Sequence, residues 1–323
     1  MRRRELIWGL AGAVAVAHRG RSQEPRRIYR LGNLLSAPRD APHQAALRKK
    51  LAREGFVEGQ NLWIDYEGYG LTAGQFEEHA AELVKRRVDL IMAGGDAAVR
   101  AAQHATSEIP ILALTDDMLG QGFVRSLAKP GGDITGVTIL ASELDGKRQE
   151  ILIEAASGAH HIAALADSTI TSPPHLRALE DEAHEHGVAL SVHLASRPDD
   201  ILPALDAAAA SGARAINVLA SALFFNNRQA IFDRVAALRL PAVYQWPEMA
   251  RQGGFVGYGP SIVQLYSDVR SRQLLRLLRG AKPADLPVEQ PTKFELVINL
   301  RTAKALGLTI PPSLLARADE VIE

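Results

Sequence analysis

An α/β chain folded as two similar lobes is the architecture this sequence predicts, and three observations predict it. Apolar strand-like runs alternate with helix-patterned segments from Ile28 onward. Strands interleaved with helices imply βαβ units, a parallel sheet and right-handed crossovers. Near Gly158 the alternation begins afresh and runs for a similar length, and 323 residues exceed what one hydrophobic core usually serves.

The elements follow in order. Ile28 to Leu35 reads as a first strand, and Ala45 to Gly55 as a helix closed by a glycine suited to the left-handed turn beyond a helix end. Leu62 to Tyr66 alternates apolar and polar, as a half-buried strand does. Phe76 to Val84 is helical, Val88 to Ala93 is a buried strand stopping at Gly94-Gly95, and a helix starts at Ala97. Ile109 to Leu114 is another strand, ending in Thr115-Asp116-Asp117. Pro130-Gly131-Gly132-Asp133 marks a turn before strand Ile134–Leu140 and the long helix Ala141–Ala155. In the second run, strands are expected at 161–166, 188–194, 215–220 and 241–244, with helices at 174–186, 201–210 and 228–238. A further extended stretch at 255–259, a helix over 261–279, a proline-bearing crossing from Lys282 to Pro291 and a strand at 295–300 follow. They suggest that the chain passes between the lobes more than once.

Composition narrows the function. Lys plus Arg and Asp plus Glu each number 37, so the formal net charge is zero. A nucleic-acid partner, which normally leaves a basic excess, is not expected. With no cysteine, thiolate catalysis, disulfides, Cys-ligated metals and a lipid-anchored N-terminal Cys are excluded. Met1-Arg2-Arg3-Arg4 is a basic start, and Leu6 to Ala17 is an apolar stretch too short for a span of about 20 residues. Ala15-Val16-Ala17 and Gly20-Arg21-Ser22 offer cleavage sites, so residues 1–22 are expected to be an export signal, with paired arginines that resemble a twin-arginine type. The expected location is therefore the periplasm, without stable membrane insertion.

The run from Gly280 to Glu323 closely resembles the ABC-transporter substrate-binding family, which includes tryptophan- and tyrosine-binding receptors. The Met1–Glu5 start, Arg53–Asn61, Ser126–Val137 and Tyr258-Gly259-Pro260 extend the resemblance over nearly the whole chain. It implies a type I periplasmic-binding fold, two doubly wound parallel-sheet lobes joined by a three-strand hinge with a ligand cleft between them. The lobes would be 23–139 with 257–290, and 140–256 with 291–323, with crossings near 138–141, 255–258 and 289–292. It also implies a small-molecule ligand (an aromatic or other amino acid, or an aromatic carboxylate), an ABC permease and its ATPase as partners, and no cofactor.

Such lobes bind at the carboxyl ends of their strands, where helix starts offer free backbone N–H groups. Ser36 can therefore supply a hydroxyl to a carboxylate, or simply shape a turn. Gly95 and Asp96 open a helix, where Asp96 is equally a good N-cap and a contact for an ammonium. Asp116 is the leading acceptor for an amino group, with a solvated turn as its alternative. Tyr244, Trp246 and Glu248 follow a short strand in the second lobe, and the two aromatics can stack on a ligand or pack internally. Tyr258 lines the cleft or plugs the hinge. Departures from the family at Asp96 and at Ala220-Ser221-Ala222-Leu223 leave the ligand class open. His184-Glu185-His186 spaces its histidines two apart, which points them to different helix faces and does not suit a metal.

Two rival classes stand against this reading. An α/β enzyme acting on a small metabolite would carry a GxSxG elbow, a P-loop, GxGxxG or HExxH, and none is present. A transcription regulator on the same fold would need a helix-turn-helix where the export signal stands. Hinge closure without chemistry, read by a permease, is the expected mechanism.

Overall fold

The computed structural model describes residues 27–323, so the expected export signal at 1–22 lies outside the described residues. The first lobe is a five-stranded parallel sheet of β1 (Tyr29–Leu34), β2 (Leu62–Ile64), β3 (Leu90–Gly94), β4 (Ile111–Thr115) and β5 (Ile134–Thr138), in the order β2-β1-β3-β4-β5. The second lobe adds β6 (His161–Asp167), β7 (Ala189–Ala195), β8 (Ile216–Val218), β9 (Ala242–Tyr244), β10 (Val256–Gly259), β11 (Glu295–Asn299) and β12 (Glu320–Ile322). Its order is β12-β11-β10-β9-β8-β6-β7, and only the β10–β11 pair is antiparallel. Read from the β7 edge, its first five strands repeat the winding of the first lobe. Both sheets thus reverse direction at the strand that leads each lobe, where doubly wound folds bind ligands.

Helices cover both faces. In the first lobe they are α1 (Pro42–Arg53), α2 (Phe76–Lys85) and α3 (Asp96–Ala105); in the second, α4 (Ala141–Ala155), α5 (Pro173–Glu185), α6 (Pro198–Ala210), α7 (Ala222–Asn226), α8 (Arg228–Ala237) and α9 (Pro247–Arg251). The expected helix over 261–279 is present in three parts. These are α10 (Ile262–Gln264), a π-helical turn at Leu265–Arg270 and α11 (Ser271–Leu278). They pack on α1, so this late segment returns to the first lobe. Short helices α12 (Leu300–Ala305) and α13 (Pro312–Leu315) precede β12.

Apolar strand residues such as Ile91, Ala113, Ala164 and Val243 are fully buried, as the unbroken hydrophobic runs of a two-sided parallel sheet require. Close sheet packing also explains Gly136. A Cβ there would come 2.0 Å from the Ala113 carbonyl oxygen, and its φ of +148° lies outside ordinary side-chain space.

The chain passes between the sheets three times, after Thr138, after Gly259 and before Glu295. The Glu289 amide donates to the Gly136 carbonyl and the Thr138 amide to Glu289, so this crossing is tied to β5. The expected division between Val256 and Gly257 falls inside β10. That strand pairs with β11 along its whole length, from Val256 opposite Ile298 to Gly259 opposite Glu295, and the chain leaves the second sheet only afterwards.

Candidate functional site

The turns leaving β1, β3 and β4 face those leaving β6, β8 and β9, and three cavities run between them. The first, about 320 Å³, lies between the start of α1 (Pro38 to His43) and Phe225, Asn226, Arg228, Glu248 and Gln252 of the second lobe. The middle one, about 80 Å³, is bounded by Leu35, Gly95, Asp116, Ala222 and Trp246, among others. It shares Ser36, Ala37, Phe225, Asn226 and Ile262 with the first. The third, also about 80 Å³, shares Asp116 with the middle one and is walled by Asp96, Asp117, Asp145, Thr171 and His175. The row of chambers therefore runs from a roomy one of mixed polar and apolar lining through an apolar middle to an acidic end.

The lobes touch across this cleft. Gln121 Nε2 donates to the Ile170 carbonyl at 3.1 Å, and the His43 and Phe225 rings stand 6.5 Å apart. Phe225 in turn meets Trp246 edge-on at 6.2 Å, forming an aromatic wall on the second lobe. Trp246 is buried, and its Nε1 finds no acceptor among the described residues.

The structure brings most of the sequence-predicted residues to these cavities. Ser36 and Gly95 border the middle chamber; Gly95 precedes α3 with φ +86°, a conformation glycine adopts freely. Asp96 opens α3, but it lines the acidic chamber and its carboxylate caps nothing. Asp116 stands between the middle and acidic chambers. Glu248 borders the first and accepts from the Ser261 hydroxyl at 2.7 Å.

Tyr244 and Tyr258 do not join them. Tyr244 is fully enclosed in the second lobe, edge-on to Phe232 at 5.0 Å, because its position in β9 points it into the core instead of the cleft. Tyr258 packs on Phe294, and its carbonyl accepts from Arg148. Sequence reasoning missed Phe225, Asn226 and Arg228. All three follow the carboxyl end of β8, and the paired aromatics Phe224-Phe225 at that strand end were the available signal.

Burial sets the electrostatics. Asp116 is pushed well above the usual carboxylate range, first by desolvation and then by the neighbouring Asp96 and Asp145 charges. Asp96 is pushed up to about 7, again mainly by burial, with Arg100 opposing and Asp117 and Asp167 adding to the rise. Behind them a fully buried ion pair holds the second-lobe frame: Arg148 Nη1 donates to Asp145 at 2.6 Å, Nε to Tyr258 O and Nη2 to Gln245 O. Asp145 also accepts from the Ala220 amide at 3.1 Å, so one side chain ties α4 to the turn that carries α7. In the first chamber, burial pushes His43 down to about 4, helped by the Arg270 and Arg228 charges. Arg228 stacks over the Phe225 ring at 4.7 Å and donates to Gln252 and to the Phe225 carbonyl. No metal-ligand cluster accompanies these groups among the described residues. Cavities walled from both lobes suit enclosure of a small molecule.

Residues 34–322 match the family model described as ABC transporter substrate binding protein. A curated tyrosine-binding protein of Clostridioides difficile is 24% identical over 266 residues, 80% of this chain and 75% of that protein. Among solved structures, an ABC domain in complex with L-Trp from Streptococcus pneumonia aligns with a TM-score of 0.81 at 24% identity. It covers 91% of this chain and all of that one. A conserved domain protein from Vibrio cholerae aligns at 0.82 with 22% identity, covering 92% and 99%. These likenesses establish the two-lobed type I periplasmic-binding fold.

Proposed function

This chain belongs to the ABC transporter substrate binding protein family, and from that premise we propose that it is the exported receptor of an importer. It captures a small organic ligand between its lobes and presents the closed form to a membrane permease driven by a separate ATPase. The family is one of receptors, and no step of covalent chemistry is assigned to the chain.

The observation that carries this reading is the row of cavities at the carboxyl ends of both sheets, with walls drawn from both lobes. A ligand touching both lobes favours the closed state by its differential contacts. The three crossings between the sheets are the natural hinge. The apolar middle, with Phe225, Trp246 and Ile262, suits an aromatic or other apolar body, while Ser36 and Asp116 suit polar groups. The relatives that bind tyrosine and L-Trp place aromatic amino acids first among the compounds to try. The described residues contain no helix long and apolar enough to cross a membrane.

A thermal-shift screen of the chain lacking residues 1–22 against amino acids, aromatic acids, aromatic amines and sugars tests this. A binder at 100 times its Kd adds about 2.7 kcal/mol to stability and raises Tm visibly. No shift from any of these classes would count against the receptor reading.

A further inference from the structure

The acidic chamber has a chemistry of its own. Its wall carries four carboxyls, Asp96, Asp116 and Asp117 from the first lobe and Asp145 from the second, against one imidazole, His175. Two of the four are already engaged: Asp145 by Arg148 and the Ala220 amide, and Asp117 by the Gly120 amide at 2.8 Å. Asp96 is not. It is 6% exposed, and neither of its oxygens accepts a hydrogen bond from the described residues. The neighbouring Asp116 amide and the Arg100 charge offset only part of its burial. Arg100 is itself exposed and commits its Nη2 to Gln121 at 2.5 Å. Arg148 is sealed behind Asp145, and His175 Nε2 stands 3.5 Å from the far oxygen of that same residue. Asp167, which adds negative charge from the second lobe, is occupied by Ser221 and Thr169.

A buried carboxylate whose neighbours offset only part of its desolvation keeps a proton or takes a cation. The chamber's 80 Å³ is room for two or three waters at roughly 30 Å³ each. An aminomethyl group fits that space. A carboxylate carried on the same carbon would be drawn in among four acids.

We propose that the acidic chamber is an ammonium subsite, and that the ligand is a primary amine whose cationic nitrogen stands on a carbon bearing no carboxylate. Its apolar or aromatic body lies against Phe225, Trp246 and Ile262. Asp96 and Asp116 hold the nitrogen from the first lobe and the Asp145 side of the wall completes the enclosure from the second, so the charge itself bridges the closed cleft. This inference rests on the receptor reading and narrows its ligand class.

Calorimetric titration with tryptamine, tryptophan and indole-3-acetate tests it, since the three share one aromatic body and differ in amine and carboxylate. Tryptamine is expected to bind at least tenfold tighter than tryptophan, and indole-3-acetate weakest. Asp96→Asn should cost tryptamine at least tenfold while leaving indole-3-acetate unchanged or tighter, with Tm confirming a folded chain. The ranking on the native chain stands independently of that variant. Tryptophan or indole-3-acetate binding as tightly as tryptamine overturns the inference and leaves the receptor reading intact, as does a tryptamine affinity that Asp96→Asn leaves unchanged. Silence from all three removes the aromatic-ligand reading, and the inference with it.

Discussion

Gly95 and Ala222 meet across the cleft: a Cβ built on Gly95 would stand 3.1 Å from the Ala222 Cβ. Gly95 precedes α3 in the first lobe and Ala222 opens α7 in the second, so their approach measures how far the lobes have closed. Any larger side chain at either position acts as a wedge.

Ala222→Leu should therefore keep the fold but hold the lobes apart, weakening ligand binding about tenfold or more, roughly 1.4 kcal/mol. Gly95→Val should do the same with an added backbone penalty, because φ +86° is unfavourable for a branched residue. Small-angle X-ray scattering checks this: the native chain should contract on adding ligand and the Ala222→Leu variant should not.

Phe225 borders two of the three chambers and leans on Trp246. Phe225→Ala should cost about 2 kcal/mol of binding, about 30-fold in Kd, by removing half of the aromatic wall. Since Phe225 is only partly buried, the loss of stability should be small by comparison.

Trp246 gives an optical readout. The other tryptophan in the described residues, Trp63, sits under Arg30 in the first lobe, away from the cleft. Ligand should change the indole emission of the native chain, and Trp246→Phe should abolish that change.

The buried Asp145–Arg148 pair should behave as a frame. Arg148→Met leaves Asp145 enclosed without its counter-charge, and breaking such a pair costs about 3–5 kcal/mol. Denaturant unfolding should show a midpoint shift of that size, with the slope unchanged.

Asp96 makes stability depend on pH. Its folded pKa of about 7 lies above its ordinary 3.8, so the folded state holds a proton that the unfolded state has lost between these values. This group's contribution to stability is then full at about pH 4 and below and falls towards pH 7, at up to about 1.4 kcal/mol per pH unit. Above pH 7 its contribution is flat. Asp96→Asn should flatten part of that slope and raise Tm at pH 8, the remainder belonging to Asp116, which is shifted in the same direction. A melting series from pH 4 to 8 on both chains checks the sign.

The lobes were legible in the sequence because buried parallel strands read as unbroken apolar runs, such as Leu90–Ala93 and Ile111–Ala113, that glycines and acids punctuate. The chambers were partly legible for the same reason: Ser36, Gly95, Asp96, Asp116 and Trp246 each follow a strand's carboxyl end. Tyr244 illustrates the limit, since one residue within a three-residue strand decides between core and cleft, and no periodicity is established over so short a run. Phe225 was missed because α7 is five residues long and carries no amphipathic signature, and Arg228 because it opens the next helix, where a charged residue reads as an ordinary exposed one. The role of Arg148 is also invisible in sequence. Its partners Tyr258 and Gln245 are 110 and 97 residues away, and only the fold brings them together.

The most direct test of a ligand-closed cleft is calorimetric titration of the native chain beside Ala222→Leu and Phe225→Ala, with tryptamine and tryptophan as probes. Saturable binding of one ligand per chain, weakened at least tenfold by either substitution while both variants stay folded, is the predicted result. Binding that neither substitution alters would place the ligand elsewhere and contradict the assignment of this cleft.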